Sequence, residues 1–358
     1  MTNLRYLLFF LLSIFMFNST DYAQEMNFFE PKTTLGGYGE LHYNYFKADQ
    51  SEATKTLDFH RFVLFFGHSF SEDWSIKAEL ELEHNFVAEG QGELELEQAY
   101  VNYHHAEYFG FQAGVILPSI GLLNEYHEPP LFFGVERPDY HKNIIPTTWF
   151  GNGIAFYGFI EGFDYKVVIM EGLNADNFKP GSGIRGGRQK GFEADANNLL
   201  YNFRLDYLNI PGLKVGVSFT TNKAKGDSVN VPVNLAELHT QYNNHNFYGV
   251  FEFGNISYDN QEIKSSRGYY IDLGYNISSL FNIKTQIIPF IRYSNINTAA
   301  ETKTGGDLEK QYHIQQWIIG ASVKPIENIV FKFDYGINKQ ELGDIESTSI
   351  NLGVGYMF

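Results

Sequence analysis

Short segments alternate apolar and polar side chains, the links between them alternate short and long, and the last segment runs to an aromatic residue. Together these predict an all-β fold: a transmembrane antiparallel β-barrel of about 16 strands with short periplasmic turns and long external loops. Alternation with period two gives each strand one face per environment. Leu199, Tyr201, Phe203, Leu205 and Tyr207 share one face against Asn202, Arg204 and Asp206, and Phe331, Phe333 and Tyr335 oppose Lys332 and Asp334. Between Leu57 and Phe70 the phase is ambiguous, and Arg61 fits either face. A soluble sandwich alternates too, but it does not require short links at 71–73, 105–109, 162, 209–212, 243–246, 278–282 and 325–328 to interleave with longer ones at 48–55, 85–92, 118–150, 173–195, 223–231, 255–266, 295–311 and 341–346. The final segment alternates Ile350, Leu352, Val354, Tyr356 and Phe358 with Asn351, Gly353, Gly355 and Met357, as a closing barrel strand does.

Residues 1–23 read as a signal peptide, with Arg5 ahead of an apolar run from Leu7 to Phe17. That run is well short of the roughly 20 residues a spanning helix needs. Residues 24–358 then form a single barrel domain in the outer membrane of a Gram-negative bacterium. The chain has no cysteine, so disulfides contribute nothing to its stability. Its 33 Phe, 24 Tyr and 34 Gly suit strands that face lipid on one side. A net charge of −16 repels phosphate backbones and excludes nucleic acid as a partner. Outer-membrane lipid is the expected surrounding.

With the apolar face on lipid, the polar face lines a lumen wide enough for water. The inward set is expected to include Lys166, Arg204, Asp206, Lys214, Asp272, Lys284, Arg292, Lys332 and Asp334. One hairpin carries two carboxylate rows, Glu79, Glu81 and Glu83 beside Glu93, Glu95 and Glu97. Such rows need water, nearby Arg61 or Lys77, or a divalent cation, and calcium is the ion they suit. No other cofactor or metal motif is present. The outward phase shifts after Glu97, so a β-bulge is expected near Gln98.

The longest link, 117–149, breaks the pattern. It holds Pro118, Pro129, Pro130, Pro138 and Pro146, the apolar patch Leu131-Phe132-Phe133 and a dense set of ionisable groups. A loop of that length is functional or disordered, and its apolar content favours packing. The following long link concentrates Lys179, Arg185, Arg188 and Lys190 among glycines. Ser119, His127 and Glu128, or Asp139 and His141, form hydrolase relays only on paper. HExxH and GxSxG are both missing, so no enzyme is expected.

The chain resembles bacterial outer-membrane porins of the phosphate-selective O and P type and their relatives in Bacteroidetes. The resemblance is carried by Gly36-Gly-Tyr-Gly-Glu40, Glu81 to His84 and Glu97-Gln-Ala-Tyr-Val101, and above all by the run from Leu117-Pro through Asn124-Glu125, Pro129, Arg137 and Ile145-Pro-Thr-Thr-Trp149 to Gly151 and Gly153. It implies a water-filled channel for passive diffusion of small hydrophilic solutes or ions, with anions such as phosphate as family substrates. It also implies a homotrimer and a third external loop folded into the lumen. The family's arginine ladder is not found here, which points to a general or weakly selective pore. The expected constriction sets Glu125, Glu128, Glu136 and Asp139 against Arg185, Arg188, Lys190, Arg204 and Lys214. The alternative is a barrel plugged by its loops, which present a surface to partners.

Overall fold

The computed structural model describes residues 30–358 apart from 50, 89–90, 229 and 259–261; the segment read as a signal peptide lies outside the described residues. Sixteen antiparallel strands close into one barrel. They are β1 (Lys32–Ala48), β2 (Thr54–Ser69), β3 (Trp74–Ala88), β4 (Gln91–Ala106), β5 (Phe109–Ile116), β6 (Gly151–Ile160), β7 (Phe163–Met170) and β8 (Leu200–Ile210). The second half comprises β9 (Leu213–Ala224), β10 (Val231–Asn244), β11 (Phe247–Tyr258), β12 (Ile263–Tyr275), β13 (Gln286–Thr302), β14 (His313–Ile326), β15 (Ile329–Gln340) and β16 (Ile345–Met357). Each strand pairs with its sequence neighbours, and β1 pairs with β16 through Tyr38 opposite Met357. Phe358 completes that seam: its N–H donates to Gly37 O at 2.9 Å and its carbonyl accepts from Gly37 N at 3.0 Å. Closure leaves no unpaired strand edge, which a hydrocarbon environment demands.

The strand faces follow the sequence period. Tyr201, Phe203, Leu205, Phe331 and Phe333 are exposed on the outside, whereas Asn202, Asp206, Lys332 and Asp334 are buried inside. At the short-turn end, outward rings pair as Trp74 with Tyr103 (centroids 4.7 Å apart) and Phe163 with Tyr207 (5.0 Å), an aromatic girdle suited to a membrane interface. The ambiguous phase of β2 has a local cause. Glu40 faces Arg61 but Leu41 faces Phe59, so His60 is an extra residue and the alternation flips there. Arg61 points inward, where its Nε sits 2.6 Å from Glu40 Oε1. A second register shift lies where it is expected: Glu79 faces Gln98 and Leu80 faces Leu96, leaving Glu97 unopposed.

Two expectations need correction. The links at 85–92 and 255–266 are largely strand, because β3, β4, β11 and β12 continue through them, and β13 runs into the link at 295–311 as far as Thr302. At the ends of β11 and β12 the alternation inverts, with Ile256, Tyr258 and Ile263 buried inside and Ser257 and Lys264 exposed outside, so apolar residues there no longer mark the lipid face. Lys284 is exposed in the turn before β13 and belongs to no wall.

The lumen is not polar throughout. Val231, Val233, Leu235, Ile256 and Ile263 are buried inward-facing residues of β10 to β12. They form one apolar core with Ile116, Ile120, Tyr140, Ile144, Ile145 and Trp149. Six residues of that core come from the end of β5 and the long link after it, so the barrel is packed from within.

Candidate functional site

The link 117–150 between β5 and β6 turns into the lumen, and its ends are drawn together by one side chain. Asn124 Nδ2 donates to Pro118 O (2.8 Å) and Trp149 O (3.1 Å), while its Oδ1 accepts from Trp149 N (2.8 Å). The result is an Ω-shaped insert with a tied neck. A short helical turn, Tyr140–Asn143, lies near its far end.

The wall receives the insert with charged and polar groups aimed at its backbone. Ser119 N donates to Asn202 Oδ1 (2.9 Å), Leu122 N to Glu252 Oε2 (2.9 Å) and Val135 N to Asp334 Oδ2 (2.7 Å). In the reverse sense, Arg204 donates to Gly121 O (2.6 Å), Lys324 to Pro130 O (2.7 Å), Ser322 to Phe133 O (2.8 Å) and Lys332 to Gly134 O (2.8 Å). A loop has no ladder of its own, so each buried backbone group needs such a partner. Glu252 is the most heavily used. It is fully buried, and its Oε1 also accepts from His141 Nε2 (2.6 Å) and the Tyr270 hydroxyl (2.6 Å).

Wall glycines provide the clearance. A Cβ at Gly355 would stand 2.4 Å from Pro129 Cβ, and one at Gly254 would stand 2.6 Å from the Tyr140 hydroxyl oxygen. Gly355→Leu should therefore push the insert off β16 at a cost of about 1–3 kcal/mol. The expected result is a larger and noisier single-channel current with the barrel intact; an unaltered current would show that the insert does not bear on β16.

The expected site residues divide differently from two facing walls. Glu125 pairs with Lys166, lies 4.0 Å from Arg204 NH1 and accepts from Ser119 Oγ at 2.5 Å. Burial favours its neutral form, but Lys166 and Arg204 outweigh that and hold the carboxyl below the usual range. Arg204 forks onto Asp206 (2.8 and 2.9 Å), and Lys214 Nζ approaches the same carboxylate at 3.8 Å. These groups and Glu128 line a cavity of about 670 Å³ toward the short-turn end. Glu136 accepts from His42 Nδ1 and Asn44 Nδ2, both at 2.9 Å, and Asp139 accepts from Gln316 at 3.1 Å. Burial raises the Asp139 carboxyl. Both lie on a second cavity of about 440 Å³ toward the long-loop end, with Arg185.

Arg185 and Arg188 face the insert rather than its carboxylates. Arg185 donates to Thr147 O (2.9 Å), and Arg188 donates to Pro146 O (2.9 Å) and Thr148 O. They brace the tail of the insert with charge-assisted bonds. Burial and the neighbouring Arg185 lower the Arg188 guanidinium to about 10. Lys190 pairs with Glu93 (2.6 Å) and Glu95. Glu125, Asp206, Glu93 and Glu95 thus meet their bases in local pairs, whereas Arg185 and Arg188 meet carbonyls and Asp139 meets an amide.

The six carboxylates read as a calcium site do not converge. Glu93 and Glu95 go to Lys190, Glu81 lies 3.7 Å from Arg61, and Glu79 and Glu97 approach His127. The paper relays are also separated: Ser119 Oγ serves Glu125, and His141 serves Glu252. Sequence reasoning quoted Asn124 only for the resemblance and gave it no role in tying the neck, and it missed Glu252 and the clearance at the wall glycines. For the glycines a signal was available at the inward positions Gly353 and Gly355 of β16, where the backbone needs to be approached closely.

A barrel closed by sixteen strands, with its third long link folded inside, has clear counterparts. Salmonella typhi OmpF, solved with daunomycin, superposes with a TM-score of 0.65 at 14% identity, over 91% of this chain and 97% of that one. Vibrio cholerae OmpT in its trimer form gives 0.60 at 11% identity, over 91% and 99%. An uncharacterized protein of Aquifex aeolicus (strain VF5) is 32% identical over 328 residues, 84% of this chain and 74% of that one. The family model described as Gram-negative porin matches residues 11–358. By that match, and by the barrel just described, the chain belongs to the Gram-negative porin family, the channels of the outer membrane.

Proposed function

We propose that this porin is a passive diffusion channel for small hydrophilic solutes and ions, with weak charge preference. The observation that carries this reading is the balance of charge along the lumen. In the short-turn cavity Lys77, Lys166, Arg204 and Lys214 face Glu79, Glu125, Glu128, Asp164 and Asp206. In the other, Arg61, Arg137, Lys142 and Arg185 face Glu40, Glu83, Glu136, Asp139 and Asp334. Interleaved signs orient dipolar solutes and give neither ion a steep preference. On this reading the resemblance to phosphate-selective O and P porins concerns the insert, from Leu117 to Trp149, rather than anion choice. Glu125, Glu128 and Arg204 on one side of the insert, and Glu136, Asp139 and Arg185 on the other, are the residues that set solute passage. A homotrimer is the proposed assembly, supported by the trimer form described for Vibrio cholerae OmpT; a light-scattering mass of one barrel would count against it.

The test is a reversal potential across a planar bilayer under a tenfold potassium chloride gradient. The expected value is close to zero, within about 20 mV, where the ideal limit for either ion is about 59 mV. A value near that limit would sink the weak-preference reading. One observation favours the rival, a barrel plugged by its insert: among the described residues the two cavities share no lining residue. A folded barrel that gives no stable current steps would establish the plug.

A further inference from the structure

We propose that Glu79, Glu97 and His127 bind one divalent transition-metal ion of the zinc class, which fastens the insert to the wall formed by β3 and β4. The three side chains are buried, each 2% exposed. Each residue brings one ligand atom to within 4.8 Å of the other two, and Glu79 Oε1, Glu97 Oε2 and His127 Nε2 have no hydrogen-bond partner among the described residues. Three buried groups with ligand lone pairs thus converge on one point. Leaving such atoms unpaired is costly, the more so for a charge.

The spacing suits an ion. His127 Nε2 stands 3.5 Å from Glu79 Oε1 and 3.4 Å from Glu97 Oε2. A tetrahedral ion with nitrogen and oxygen ligands at about 2.1 Å sets those ligands about 3.4 Å apart. The far side of each ligand is already held. His127 Nδ1 donates to Asn124 O at 3.3 Å, which leaves Nε2 with its lone pair free. Gln98 Nε2 donates to Glu79 Oε2. Support of this kind orients metal-binding imidazoles and carboxylates. The bulge in β4 makes it feasible, because the extra residue Glu97 and its neighbour Gln98 both reach Glu79.

Imidazole beside two carboxylates selects zinc-like ions over calcium, which takes six or more oxygens. Two carboxylates neutralise the divalent charge, and Arg61 is committed to Glu40 and Glu81 rather than to this point. Glu79 and His127 border the larger cavity, which supplies an entry path and a water as fourth ligand. The rival occupant is a proton: an imidazolium at His127 would face the same two carboxylates with no metal.

The test uses the full-length refolded barrel, stripped with a chelator and titrated with zinc by calorimetry, with metal content read by mass spectrometry. Wild type should bind one zinc per barrel tightly, and His127→Gln and Glu97→Gln should each weaken that equivalent at least tenfold. His60→Ala is the control. His60 belongs to both other histidine clusters, His42–His60–Glu136 and Asp58–His60–His84, so zinc bound there is lost in this variant while the proposed equivalent persists. Folding of every variant is checked by heat-modifiable gel mobility. A folded wild type without a stoichiometric zinc, or a His127→Gln barrel that retains full affinity, would overturn the proposal in favour of the proton. The readout needs no current, so it stands or falls apart from the channel reading.

Discussion

Deleting residues 124–142 should raise the single-channel conductance at least about twofold, because the empty barrel is an aqueous channel. This stretch contains the neck clasp Asn124, the residues that meet β14 to β16, and most of the helical turn. With it go the buried Phe132, Val135 and Tyr140 and the carboxylates Glu125, Glu128, Glu136 and Asp139 that line the two cavities, while Ile120, Ile144, Ile145 and Trp149 stay behind. The wall it leaves behind carries Asp334 and Lys332, whose partners Val135 and Gly134 are deleted and which would then face water. Strand pairing does not depend on the insert, as every ladder from β1 to β16 is formed by strands alone. The folded, heat-modifiable barrel should therefore persist. An unchanged conductance would place the narrowest section elsewhere.

The second large effect is expected from Glu252→Ala. Three donors lose their acceptor at once: Leu122 N, His141 Nε2 and the Tyr270 hydroxyl. Breaking a buried charged pair by removing one partner costs about 3–5 kcal/mol. That loss falls on the docking of the insert, since the Glu252 backbone continues to pair with Tyr270 across β12. The current of Glu252→Ala should flicker between levels that wild type does not visit. Glu252→Gln keeps an acceptor oxygen and should recover part of the quiet state. A steady wild-type trace from the alanine variant would show that the apolar core alone holds the insert.

How far the sequence foretells this arrangement depends on what each residue has to signal. Strand faces were legible from Tyr201, Phe203 and Phe333, because lipid contact imposes a period of two on the whole strand. The insert was set apart by its prolines and its length, and it runs between the end of β5 at Ile116 and the start of β6 at Gly151. The bulge at Glu97 announced itself as a change of phase, and the one at His60 produced the ambiguity around Arg61. Partnerships were not legible. Glu252 sits in β11 as one inward carboxylate among many, and only the folded insert gives it Leu122 and His141. Arg185 and Arg188 carry full charges that suggested a wall facing acids, yet the nearest acceptors are the carbonyls of Pro146, Thr147 and Thr148. Charge signs are local in sequence, whereas the counter-charge is set by the path of a loop.

The groups that hold the insert carry one more implication, concerning the order in which the molecule assembles. Asn202, Arg204, Glu252, Ser322, Lys324, Lys332 and Asp334 all follow the insert in the chain. Their side chains come to surround it only when β8 through β16 have curled round to meet β1. Until that seam closes, Ile120, Tyr140, Ile144 and Ile145 have no finished cavity to enter, and long-range contacts of this kind form late. The nascent molecule must therefore carry an unsatisfied, sticky appendage from before the middle of its length until its final strand is in place.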